Sequence, residues 1–272
     1  MPATEVNGAD IAYAFNGAPT RDDGVTVVLV HGAGGRNQDW PQAWRSVDDV
    51  TRAMGLTPAS HVADLDQYPI YAIDLPGHGE SGGAGATSIE AYVDAIEGVM
   101  DALDLNRVVL TGHSMGAAIT LSLAIRQNPR LAGICLIGAA STLQVSPAIL
   151  EGLQQDFENT VDAIIKYSWY KKTGAFFKEK GRQRMLETGQ DVVYGDFFAC
   201  AEIDLTDQLD KVQVPALIIA SDNDRMVRLD QSEAMAKTLN ATFVPLEDCG
   251  HFQHIEQTAA CAEALSGFLA RL

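Results

Sequence analysis

The sequence predicts an α/β protein with a mostly parallel sheet and helices on both faces. Three observations predict it: short, continuously apolar strand candidates, amphipathic or apolar helical segments between them, and Gly-rich breaks where strands end. A strand covered on both faces has no solvent side, so its apolar residues run on without alternation.

In chain order, residues 11–15 are a short strand candidate and residues 25–30, Val-Thr-Val-Val-Leu-Val, a stronger one. The latter runs straight into His31-Gly32-Ala33-Gly34-Gly35. The next strand, 69–73, ends at Asp74 and is broken by Pro76-Gly77-His78-Gly79. Ser88 is placed to cap a helix to Leu103, with apolar residues at 89, 92, 93, 96, 99, 100 and 103. A strand over 108–111 leads into a helix over 115–127. Strands over 134–137, 216–220 and 242–245 follow, with helices over 231–239 and from about 258. The alternation fails over 141–211, which reads as several helices carrying nine aromatic residues. That stretch is a helical insertion over one edge of the core. Residues 45–66 are a long polar stretch, read as an extra helix or a loop.

The 272-residue chain is long enough to bury a sizeable core, and no apolar run in it is long enough to span a membrane. Its net charge of −17 disfavours nucleic-acid binding, because such a surface repels phosphate backbones. Cys135, Cys200, Cys249 and Cys261 are widely spaced, and His31, His78 and His113 lack ligand spacing, so no metal site is expected. No cofactor is expected either. The N-terminus does not read as a secretory leader, which predicts a cytoplasmic setting, with an exported mature form and homo-oligomerisation left open. Seven of the nineteen basic residues fall between Lys166 and Arg184. They read either as a guide for an anionic substrate or as a solvated helix face.

The chemistry centres on Gly112-His113-Ser114-Met115-Gly116. Gly-x-Ser-x-Gly alone is a weak signal, but here an apolar strand precedes it and a helix-forming run follows. That context makes a sharp elbow with the serine hydroxyl exposed and a helix N-terminus behind it. A serine hydroxyl needs a base to become a nucleophile. Of six histidines, His31, His61, His78, His113, His251 and His254, only the last two come late enough in the chain. His251, in the loop before the final helix, is the expected base, and His254 reads as structural. Asp222 and Asp224 both follow the strand 216–220. Asp224 is the better acid because a short turn separates it from the strand end, and Asp222 reads as a turn former. Backbone N–H groups of Ala33 and Met115 are the expected oxyanion donors, with Gly34 as the fallback for Ala33. His31 is placed to brace its loop by hydrogen bonding.

With these motifs in place, the chain resembles the α/β-hydrolase superfamily. The resemblance rests on residues 31–35 with Trp40, residues 74–81 (Asp-Leu-Pro-Gly-His-Gly-Glu-Ser), residues 112–116, residues 215–224, and Gly250-His251. It implies an eight-stranded core formed by 1–140 and 212–272, with a helical cap over 141–211. It points to the branch holding small esterases, carbon–carbon bond hydrolases, cofactor-free haloperoxidases and monoacylglycerol lipases. Related dehalogenases and epoxide hydrolases use an aspartate nucleophile, against which Ser114 argues. The long stretch between Trp40 and Tyr71 departs from the pattern and leaves the entrance architecture open.

The expected function is hydrolysis of a small-molecule carboxylic ester of small to medium acyl size through an acyl-enzyme. Alternatives are carbon–carbon bond or thioester hydrolysis on the same triad, a haloperoxidase-like side reaction, and a non-catalytic binding protein. A filled triad argues against the last.

Overall fold

The computed structural model describes residues 1–45 and 65–272. Most of the polar stretch expected as a helix or loop, and His61 with it, lies outside the described residues. At its flanks are the short helix α1 (Gln42–Arg45) and a 3-10 turn, Leu65–Gln67.

Eight strands form one sheet: β1 (Ala3–Val6), β2 (Ala9–Phe15), β3 (Thr26–Val30), β4 (Ile70–Ile73), β5 (Val108–His113), β6 (Leu131–Ile137), β7 (Ala216–Ser221) and β8 (Thr242–Leu246). The spatial order is β1-β2-β4-β3-β5-β6-β7-β8. The β1–β2 and β2–β4 pairings are antiparallel, and every later pairing is parallel. The expected mostly parallel sheet is therefore present.

The apolar strands feed two cores, one on each face, because successive side chains point to opposite sides. Val28 and Val30 of β3 join Leu110 and Leu136 on one face, under α2 (Ile89–Ala102) and α3 (Met115–Ile125). Val27 and Leu29 join Val109, Cys135 and Ile219 on the other, with Trp40, Trp44 and Phe268. Ser88 caps α2 through its side chain, as its position before the apolar run predicts. Helix α3 is buried on every side, so it shows no polar face.

Between β6 and β7 the chain forms α4 (Pro147–Gln155), α5 (Phe157–Ser168), α6 (Ala175–Thr188) and α7 (Gln190–Glu202). They share a small core of Leu153, Val161, Ile164, Trp169, Met185 and Phe197, which packs on Ala33, Met226, Phe252 and Ile255. The ends of this excursion meet in a bridge between Thr142 and Asp204. Leu205 and Leu209 beyond it pack into the main core. The chain closes with α8 (Leu229–Leu239), α9 (Gln253–Glu256) and α10 (Thr258–Leu269).

Candidate active site

The strand β5 ends at His113 and α3 begins at Met115, leaving Ser114 alone in the elbow with φ 54° and ψ −118°. That is left-handed backbone, which a non-glycine residue adopts only when its surroundings hold it there. The two flanking glycines are required by close approach. A Cβ on Gly112 would strike the Gly116 backbone, and a Cβ on Gly116 would strike the Val30 carbonyl. The spacing is thus a packing requirement that turns Ser114 toward the cavity.

His251 lies in the loop after β8. Its Nδ1–H donates to Asp224 Oδ2 at 2.7 Å, so Nε2 is left as the ring's second nitrogen. The loop is held in place twice. The His251 N–H donates to the Ser168 carbonyl of α5 at 2.7 Å, and His113 Nε2 lies 2.8 Å from the His251 carbonyl. Burial works against the charge of Asp224, but His251 and the N–H groups of Met226 and Val227 outweigh it. They hold the carboxyl below its ordinary range. Gln253, which sequence reasoning missed, donates to the same oxygen at 3.1 Å and is fully buried. Asp222 instead accepts from Asp248 N–H and caps the neighbouring turn.

His254 is buried among the rings of Trp40 and His113, and burial pushes its imidazole down to about 3. His113 is likewise pushed well down, by burial and by the His254 and His251 rings. His31 braces its loop as expected: Nε2 accepts from Leu75 N–H, and Nδ1 contacts the Gly32 carbonyl.

Among the described residues, no protein acceptor takes the N–H of Ala33 or Met115. Gly34 differs, because its N–H donates to Asp196 Oδ2 of α7 at 2.7 Å. The fallback donor is already engaged. Asp196, a second residue missed from sequence, is wholly buried. It also meets His78 Nε2 at 2.8 Å and accepts from the Tyr92 hydroxyl at 2.6 Å. Burial opposes charging of His78, but the charge and hydrogen bond of Asp196 outweigh it and raise the imidazole above its ordinary 6.5.

Ser114, His251, Ala33 and the core of the insertion share one cavity of about 640 Å³. Ile164, Trp169, Met185 and Phe197 give it apolar walls. Its charged lining is Arg36, Arg45, Lys180 and Arg184 with Asp39 and Glu187. Of the seven clustered basic residues, only Lys180 and Arg184 reach this lining. Arg184 is ion-paired with Asp39. The four cysteines are buried and free, and no cluster able to hold a metal ion occurs among the described residues.

The family model described as the alpha/beta hydrolase family matches residues 27–264. The chain belongs to this family. Among relatives of this α/β-hydrolase, 3-oxoadipate enol-lactonase 1 of Acinetobacter baylyi is 24% identical over 210 residues, covering 75% of this chain and 79% of its own. The 2-hydroxy-6-oxo-2,4-heptadienoate hydrolase of Pseudomonas putida is 26% identical over 271 residues, covering 91% and 90%. The structure of an esterase from Thermogutta terrifontis superposes on this α/β-hydrolase with a TM-score of 0.81 at 25% identity, covering 99% of this chain and 96% of its own. An enol-lactonase from Burkholderia xenovorans gives 0.82 at 21% identity, covering 99% and 100%, a likeness of fold.

Proposed function

We propose that this α/β-hydrolase is a serine hydrolase cleaving a carboxylic ester of small to medium acyl size through an acyl-enzyme. The observation that carries the reading is the His251–Asp224 contact, 2.7 Å long, in the cavity that the strained Ser114 elbow faces. The carboxylate holds the proton on Nδ1, so Nε2 is the base. Ser114 Oγ attacks the ester carbonyl carbon and its proton passes to His251. The Ala33 and Met115 N–H groups hold the developing oxyanion, an interaction worth roughly 3 kcal/mol per donor. Gly34 has no part in that pair, since its N–H serves Asp196. The imidazolium then protonates the leaving alcohol, and water repeats the cycle to release the acid. The helices of 141–211 act as a cap whose apolar residues wall the acyl site.

The lactonase relative and the esterase structure support ester chemistry. The Pseudomonas putida relative supports a second reading, carbon–carbon bond hydrolysis on the same three residues. Release of p-nitrophenol from short to medium acyl esters, with wild type beside Ser114→Ala, tests the proposal. Wild-type turnover should fall by on the order of a millionfold in the variant. Turnover that survives would remove Ser114 as nucleophile, and an inactive wild type would move the weight to carbon–carbon substrates.

A further inference from the structure

The rim of the cavity carries a feature that ester hydrolysis does not use. Phe176 and Phe177 open α6 and are 67% and 46% exposed, although both also line the cavity. Side chains that do both stand at its mouth. Their ring centroids are 5.7 Å apart in an edge-on pair, so they form one apolar wedge. From the wedge an aromatic path leads inward: Phe177 lies 6.3 Å from Trp169, and Trp169 stacks at 4.3 Å on Phe252, the neighbour of His251. Around the wedge, residues 171–180 hold Lys171, Lys172, Lys178 and Lys180 against one acid, Glu179, in a chain of net charge −17. Lys178 and Lys180 donate to neutral oxygens, those of Lys171 and Gln183. Lys172 lies 3.9 Å from Asp248 with both side chains about two-thirds exposed, a pair that water screens.

We infer that this rim docks the protein on an anionic lipid surface, with Phe176 and Phe177 entering the headgroup region and the cavity mouth facing the lipid. Exposed aromatics flanked by lysines are what interfacial binding requires. Acidic groups elsewhere on the molecule do not cancel it, because at physiological salt repulsion fades beyond about 8 Å. A protein partner fits less well. A stable protein interface buries on the order of 1,000 Å² or more, and one centred here would seal the mouth. A lipid surface leaves the path from Phe177 to Phe252 open.

The test is sedimentation of the full chain with vesicles of phosphatidylcholine, alone or mixed with phosphatidylglycerol, a readout that stands whether or not Ser114 is the nucleophile. Binding should favour the anionic vesicles and weaken as salt rises. Each lysine near such a surface contributes about fivefold in affinity, so Lys171→Glu with Lys178→Glu should weaken it by about 25-fold or more. Neither lysine lines the cavity, so hydrolysis of a short soluble ester should be unchanged in that variant and shows that it is folded. Phe176→Ser with Phe177→Ser, its fold checked by thermal melting, should abolish binding. No binding of wild type to anionic vesicles, equal binding to both vesicle types, or binding that survives both double substitutions overturns the inference.

Discussion

At Ser114 a β-strand geometry and a helix geometry meet within one residue, and φ 54° is the result. The strain persists only because the Gly112 and Gly116 backbones are packed too tightly for the chain to relax. A methyl at Gly116, driven into the Val30 carbonyl, should therefore lower the yield of folded protein as well as activity. A folded, active Gly116→Ala variant would show that the elbow relaxes. Asp224→Asn keeps the shape but no longer favours the Nδ1–H tautomer. Its kcat should drop about ten-thousandfold with the melting temperature little changed. A drop below tenfold in steady-state kinetics would mean that another group orients His251. That Asp224 and not Asp222 contacts His251 was legible in sequence, because it depends on distance from a strand end. Gln253 was not. Its value depends on how the short helix α9 turns against β7, which no local pattern encodes.

Among elements, α7 ties the insertion to the core through one carboxylate. Asp196 contacts Gly34, His78 and Tyr92, residues 162, 118 and 104 positions away. Contacts so distant leave no trace in sequence spacing. Asp196→Ala leaves the buried His78 without its counter-charge and should cost about 3–5 kcal/mol in chemical denaturation. An effect under about 1 kcal/mol would show that His78 sits there neutral. The pair also sets a pH dependence. The folded pKa of His78 is raised, so its stabilisation is complete below the unfolded value of 6.5 and is lost as pH rises through the folded value. Stability should thus decline as pH rises above 6.5 in wild type and less so in Asp196→Asn. Parallel curves would assign the decline to other groups. The edge strand β1 was missed for a different reason. It is mostly exposed, so it lacks the apolar run that betrays the inner strands. The turn after it, Asn7-Gly8, has φ 52° and 81° and was the readable sign of a hairpin.

On the scale of the whole molecule, the strand types and their sequence were legible because each inner strand is apolar on both faces. The spatial order, with β4 inserted between β2 and β3, was not, since every parallel strand carries the same pattern. Charge separates the molecule in another way. Its surface is strongly acidic, yet the cavity lining has four cations against two carboxylates. Such a lining should favour an ester bearing a carboxylate, and kcat/KM for it should fall with rising salt while a neutral analogue stays constant. Equal salt sensitivity would assign the effect to the protein as a whole.

The insertion does more than line the cavity, because it also holds two of the cavity's loops. Ser168 lends its carbonyl to the histidine loop, and Asp196 takes the Gly34 N–H of the loop that faces Ser114. Exchanging this insertion for a homologue's is therefore not modular in this scaffold. A transplanted insertion lacking an acid opposite Gly34 and an acceptor opposite His251 would bring new cavity walls and leave both loops unanchored. A productive chimaera has to carry both anchors along with its walls.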